Sequence, residues 1–146
     1  MIRTTYLAPL ALLACANAAA AATLEVAKSP SCGCCSVWIE RMRSAGFTVK
    51  SRDVVDTTPV ASAAGVPDQL RSCHTTKVAG YVIEGHVPAA DIRRLLAQKP
   101  KAIGLAAPGM PMGSPGMEMG GRKERYQVML IARDGSHTVW ATHGGN

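Results

Sequence analysis

The stretch that decides the fold is TLEVAKSPSCGCCSVWIERMRSAGFTVKSRDVV, residues 23–55. Residues 23–28 alternate apolar and polar side chains, which predicts a strand, and residues 47–55 predict a second strand. Between them, residues 36–45 place their apolar side chains on one face of a helix, and Gly46 follows as a stop signal. The order is therefore strand, cysteine-bearing loop, helix and strand.

The rest of the chain continues this mixture of helices and strands. Two short helices are predicted to begin at Thr58-Pro59 and at Val66-Pro67-Asp68, a strand covers 78–85, a helix covers 88–98, and a hairpin in 126–143 turns at Asp134-Gly135. This order predicts an α/β fold, a thioredoxin-like sandwich with a C-terminal β-hairpin. In such a fold the cysteines lie where the first helix begins, and its unpaired N–H groups favour thiolate over thiol.

The N-terminus has the pattern of a secretory signal peptide. Arg3 precedes a short apolar run and a series of small residues, so we expect residues 1–22 to be cleaved and residues 23–146 to form one domain. Export predicts a periplasmic protein, and no segment is long enough to span a bilayer. The sequence LLAC, ending at Cys15, leaves open a lipoprotein signal that would anchor the chain at a membrane surface.

Export leaves four cysteines for the mature chain, namely Cys32, Cys34, Cys35 and Cys73. An even count in an exported protein first predicts two disulfides. Neighbouring Cys34 and Cys35 bridge only with a distorted peptide, and only Cys32 and Cys35 have the spacing of a redox pair. Structural crosslinking is therefore a poor explanation for the cluster.

Metal binding and thiol–disulfide exchange remain as explanations. An exchange enzyme needs only Cys32 and Cys35 and has no evident use for Cys34. Where a thioredoxin-type enzyme usually carries a proline facing its cysteines, this chain has Cys73 followed by His74. Several sulfurs together with imidazole suit Cu(I) or Zn(II), so we expect a metal site, with His74 as the first and His86 as the second histidine candidate. His137 and His143 are expected to be exposed.

A loop with two Met-x-Met pairs bears on the choice of metal. APGMPMGSPGMEMGG, residues 107–121, carries Met110, Met112, Met117 and Met119 among glycines and prolines. Thioethers are soft, neutral ligands that favour Cu(I) over Zn(II). Packing of these side chains onto the core is the alternative, and the sequence leaves both open.

Charge and motifs exclude several other functions. The formal net charge of +6 is spread along the chain, and aromatic residues make up only 4% of it, so the sequence has no basic patch interleaved with aromatic side chains for nucleic acid. We find no Ser/His/Asp grouping, phosphate-binding glycine loop or paired catalytic carboxylates.

Three segments together resemble a known bacterial family. They are KSPSCGCCSVWIERMRSAGF (28–47), GVPDQLRSCHTTKVAGYVIEGHVPAADIRRLL (65–96) and GLAAPGMPMGSPGMEMGG (104–121). They resemble the domain-of-unknown-function 411 family, which includes the CopG-like periplasmic copper-resistance proteins. The likeness covers residues 24–142, and C-G-C-C joined to C-H-T and E-G-H-V-P-A is far more specific than a lone C-x-x-C.

The resemblance implies a copper-binding thioredoxin-like domain with a role in copper tolerance. By position it implies Cys32, Cys34, Cys35 and Cys73 as sulfur ligands, with His74, His86 and Met117 as further contributors. It also implies a copper cluster, cycling between Cu(I) and Cu(II) or sequestration, and copper carriers or exporters as partners. A copper oxidoreductase stays open, although we expect metal binding rather than turnover. The alternatives are a thiol–disulfide oxidoreductase using Cys32 and Cys35 and a zinc-stabilised structural module.

Overall fold

The computed structural model describes residues 22–145. The predicted signal peptide, apart from Ala22, and the predicted lipid site at Cys15 lie outside the described residues. The strands are β1 (Thr23–Lys28), β2 (Thr48–Asp53), β3 (His74–Val78), β4 (Tyr81–Glu84), β5 (Ala102–Ala106), β6 (Tyr126–Ala132) and β7 (His137–His143). The helices are α1 (Gly33–Ser44), α2 (Thr58–Ala63) and α3 (Ala89–Gln98), with a 3-10 turn at Asp68–Leu70.

All seven strands form one sheet in the order β2-β1-β3-β4-β5-β6-β7. Strand β1 is parallel to β2, and β4 is parallel to β5, while the other neighbours are antiparallel. The α/β prediction is confirmed, and β6 and β7 form the predicted C-terminal hairpin. None of the helices within residues 22–145 has the length and hydropathy needed to cross a membrane.

Helices cover both faces of the sheet. On one face, Trp38 of α1 and Ile92 of α3 pack in one buried cluster with Ile83 of β4. On the other face, Ala61 of α2 packs in a second cluster with Val82, the neighbour of Ile83 in β4. Because successive side chains of a strand point to opposite faces, β4 is buried on both sides.

The structure corrects the predicted strands in two places. Residues 81–84 of the strand predicted at 78–85 do form β4, but the strand does not begin at Val78, which is the last residue of β3. Ala79 and Gly80 both have positive φ angles, 46° and 83°, and reverse the chain between β3 and β4. Residues 102–106 lie between the predicted helix 88–98 and the predicted hairpin 126–143 and were assigned to neither, but they form β5. A Cβ on Gly104 would collide with the Val82 carbonyl, so a glycine that weakens the strand signal is required by the close pairing of β4 and β5.

Helix α1 begins earlier than predicted, at Gly33 instead of residue 36. Cys32 is its N-cap, and the Cys32 Sγ accepts a hydrogen bond from the Cys35 N–H at 3.3 Å. The sulfur thus takes the part usually played by a Ser or Asp oxygen. As a result, Cys34 and Cys35 lie in the first turn of the helix and not on the preceding loop.

Candidate metal centre

The centre forms where three segments of the chain meet beside the last residue of β1 and the first residue of β3. Strand β1 leads directly into the cysteine motif, and its last residue, Lys28, pairs with His74, the first residue of antiparallel β3. The β3–β4 hairpin then brings the chain back, and the Gly85 N–H donates to the His74 carbonyl at 2.9 Å. Cys73 and His86 are therefore brought together beside the start of α1.

Four cysteines form the sulfur group of the centre. The Sγ atoms of Cys32, Cys34, Cys35 and Cys73 all lie within 4.8 Å of one another. Cys32 and Cys35 are joined as a disulfide with a Cα–Cα distance of 5.3 Å. Cys34 and Cys73 are free thiols, each half-buried, and the Cys34 Sγ lies 3.5 Å from the Cys32 Sγ.

Cys73 also belongs to a second group, which contains two histidines. The ligand atoms of Cys73, His74 and His86 likewise lie within 4.8 Å of one another. The Cys73 Sγ is 3.4 Å from His74 Nδ1 and 3.0 Å from His86 Nε2. One sulfur thus connects the thiol-rich half of the centre to the imidazole-rich half.

His86 is oriented by the Met-rich loop. Its Nδ1 lies 2.8 Å from the carbonyl oxygen of Pro115. Since a carbonyl only accepts, Nδ1 carries the proton and Nε2 directs its lone pair toward the Cys73 sulfur. Metal-binding histidines commonly donate their second N–H to a backbone carbonyl in this way, which fixes both tautomer and ring orientation.

His74 is fully buried, and its environment holds it neutral. Its ring centroid lies 4.5 Å from that of Trp38. Burial, together with nearby His86, lowers the pKa of His74 to about 3. Its Nε2 is buried without a hydrogen-bond partner within the described residues. A neutral imidazole can bind a metal ion through one nitrogen, and Nδ1 is the His74 nitrogen that contacts the Cys73 sulfur.

The Cys73 thiol is strongly held in its protonated form. Burial, with a further contribution from the neighbouring Cys34, raises the pKa of Cys73 to about 12. A cation coordinated by the sulfur reverses this preference, since coordinating thiols are deprotonated outright. The donor set of sulfurs and imidazoles fits copper or zinc and does not suit a hard cation.

The Met-rich loop packs against the start of α1. Gly116 has a φ of +89°, and a Cβ there would lie 2.8 Å from the Cys34 carbonyl oxygen and 2.9 Å from the Trp38 nitrogen. This close approach places the backbone of half-buried Met117 next to the centre. Met110 and Met119, by contrast, are 53% and 60% exposed.

The remaining histidines lie away from this cluster. His137 is exposed, as predicted. The prediction that His143 is exposed is wrong, because it is half-buried and its Nε2 lies 2.6 Å from Asp91 Oδ2. Sequence analysis also missed Glu84, a buried carboxylate that accepts hydrogen bonds from Ser72 and Thr75. One feature of the sequence could have identified it. Glu84 continues the apolar strand Tyr81–Ile83 and directly precedes Gly85 and His86.

The chain is similar to proteins that are already known. Residues 70–117 match the family model described as "Protein of unknown function, DUF411". A search of curated protein sequences found no match.

Two solved structures of "Copper resistance protein copG", Form 2 and Form 1, are similar to the chain. They are 42% and 44% identical to it, with TM-scores of 0.81 and 0.80. Each alignment covers 84% of this chain and 98% of the solved one. The chain therefore belongs to the DUF411 family and to the same family as the copper resistance protein copG.

Proposed function

We propose that the protein is an exported copper-binding protein of copper resistance or homeostasis. The observation that carries this proposal is the position of Cys73, whose sulfur lies within 4.8 Å of three other cysteine sulfurs and of two imidazoles. Soft sulfur favours Cu(I), and imidazole suits Cu(II) as well. The family relationship to a protein named for copper resistance supports the same metal.

In this proposal the cysteines bind Cu(I) and several ions share their sulfurs. Cys32, Cys34, Cys35 and Cys73 supply the thiolates, His74 and His86 supply nitrogen, and Met117 supplies a thioether. A thiolate that bridges two copper ions accounts for the crowding of three cysteines in four positions. The backbone of Met117 lies next to Gly116, which contacts α1, and this supports its place in the set.

The disulfide connects copper binding to redox chemistry. While Cys32 and Cys35 are bonded, neither is available as a thiolate. If the centre interconverts Cu(II) and Cu(I), the electrons balance within it. Oxidation of the Cys32 and Cys35 thiols to one disulfide would release two protons and supply two electrons, enough to reduce two Cu(II) ions to Cu(I).

The proposal also includes a thioredoxin-like fold and a periplasmic location. The order β2-β1-β3-β4, with β1 parallel to β2 and the other pairs antiparallel, supports a thioredoxin-like arrangement with the cysteine motif at the start of α1. The signal-like residues 1–22 support a periplasmic location, free or lipid-anchored at Cys15. In that compartment copper carriers or exporters are the expected partners.

Thiol–disulfide exchange is the second candidate, because Cys32 and Cys35 are bonded at a helix N-terminus, where the dipole stabilises the attacking thiolate. A zinc-stabilised structural module is the third. It predicts a redox-silent protein that unfolds on treatment with a chelator.

Anaerobic titration of reduced protein with Cu(I), against a competing chelator, separates these functions. We expect more than one copper per chain and a lower stoichiometry in Cys34→Ser. Insulin reduction by metal-free protein serves as the control, since Cys34→Ser leaves the exchange pair intact. Unchanged copper stoichiometry in Cys34→Ser contradicts the shared-thiolate centre. Negligible copper affinity with insulin reduction retained means that the protein is an exchange enzyme.

A further inference from the structure

Glu84 is a buried carboxylate at the end of β4, only 1% exposed. Each of its oxygens accepts one hydrogen bond from the segment around Cys73. The Ser72 N–H donates to Oε1 at 2.8 Å, and the Thr75 hydroxyl donates to Oε2 at 2.7 Å. The carboxylate therefore spans the two residues that flank Cys73 and His74.

Glu84 approaches this segment from behind the sheet. Thr75 and Glu84 are directly paired across β3 and β4, so their side chains share a face. Val82, two residues before Glu84, packs on the α2 face, whereas His74 contacts Trp38 of α1 on the opposite face. Glu84 also belongs to neither group of candidate ligands. Its contacts support the centre without entering it.

We propose that Glu84 is a positioning residue that fixes Cys73 and His74 for metal binding. The inference rests on the proposed function, in which those two side chains are ligands. Residues that hydrogen-bond to metal ligands or to their backbone keep the ligands in position, and their removal typically lowers metal affinity about 10–100-fold. Glu84 acts through the backbone of residue 72 and the hydroxyl of residue 75 and does not contact the metal.

The two residues after Glu84 continue the same support. The Gly85 N–H donates to the His74 carbonyl, and a Cβ on Gly85 would collide with Ser72 and lie 2.8 Å from the Ala107 carbonyl oxygen. His86 then places its Nε2 3.0 Å from the Cys73 sulfur. Glu84, Gly85 and His86 thus each contact a different part of the Cys73 segment, and only His86 is a candidate ligand.

The test compares Glu84→Ala with Glu84→Gln. Glutamine keeps an acceptor for the Ser72 N–H, and its amide can donate to the Thr75 oxygen, which accepts once the hydroxyl rotates. We expect Glu84→Ala to weaken Cu(I) binding by about 10–100-fold and Glu84→Gln to stay within a few-fold of wild type. Tyr81→Phe is the control, since it removes a hydrogen bond to the Pro100 carbonyl at the other end of β4.

Two results of this comparison would overturn the proposal. One is an equal loss of copper affinity in Glu84→Ala and Tyr81→Phe, which would mean general destabilisation. The other is a loss in Glu84→Gln as large as in Glu84→Ala. If Glu84→Ala does not fold, Thr75→Val replaces it, because it removes one of the two donors. The proposal then expects Thr75→Val to bind more weakly than Glu84→Gln, and the reverse order overturns it.

A copper-free measurement separates failure of this proposal from failure of the proposed function. In oxidised Cys34→Ser protein, alkylation of Cys73 by iodoacetamide is followed by peptide mass spectrometry. We expect Glu84→Ala to change the rate several-fold and Glu84→Gln to leave it unchanged. If wild type binds no copper but this difference is found, the proposed function fails and the positioning role stands. Equal rates in all variants overturn the positioning role whatever copper does.

Discussion

Acid should destabilise the metal-free, oxidised protein through His74. This side chain is fully buried, and burial, with His86 nearby, lowers its pKa from 6.5 to about 3. In the unfolded chain the same imidazole takes up a proton near its ordinary pKa. Between these two values the unfolded state binds more protons than the folded state, so stability falls as the pH falls.

The magnitude follows from the separation of the two pKa values. Each pH unit between them contributes about 1.4 kcal/mol per group. From pH 7 to pH 4.5, His74 alone should therefore lower the free energy of unfolding by about 2.5 kcal/mol. The loss begins near pH 6.5 and is complete only below the folded pKa.

Urea unfolding at a series of pH values measures this contribution. The comparison is with His74→Gln, which keeps a polar side chain but does not titrate. Other groups whose pKa is perturbed by burial, such as His86 and Glu84, are present in both proteins, so the difference between the two curves reports His74 and its interaction with His86. Parallel curves for wild type and variant would refute the reasoning.

Three further predictions concern the surroundings of the centre. Gly116→Ala should lower the free energy of unfolding by about 2 kcal/mol, because φ is +89° and the added Cβ would lie 2.8 Å from the Cys34 carbonyl oxygen. An unchanged urea midpoint would contradict the packing of the loop against α1. Trp38→Phe should lower the free energy of unfolding by about 1–3 kcal/mol, since the Val87 carbonyl loses the indole N–H that donates to it at 3.0 Å. Thermal unfolding measures this loss of stability. Reducing the Cys32–Cys35 disulfide should increase the copper bound per chain, and equal metal content in both redox forms would argue against those two sulfurs as ligands.

The local features of the fold were predictable because their signals are short-range. Alternation in residues 23–28 predicts β1, and the Asp134-Gly135 pair predicts the last hairpin. The β3–β4 turn gives a weaker signal in the sequence, because Ala79 is not a residue that favours a positive φ. Strand β5 was missed because Gly104 weakens its strand signal. The glycine is required by contact with β4, a strand about twenty residues earlier in the sequence.

The centre itself could be predicted only in part. Residue type and spacing single out the cysteines and His74, but the approach of His86 depends on the β3–β4 hairpin. Its tautomer depends on the Pro115 carbonyl, which no side-chain pattern reveals. Glu84 was missed because its role comes from cross-strand pairing with Thr75, and pairing register is not visible in one strand.

The central claim is that a single copper centre spans the sulfur and imidazole groups through Cys73. The most direct test measures copper bound per chain in anaerobically reduced protein, with Cu(I) supplied under a competing chelator, for wild type and Cys73→Ser. The account predicts more than one copper per wild-type chain and loss of most of it in the variant, with the fold retained. Equal copper content in the two proteins would contradict it.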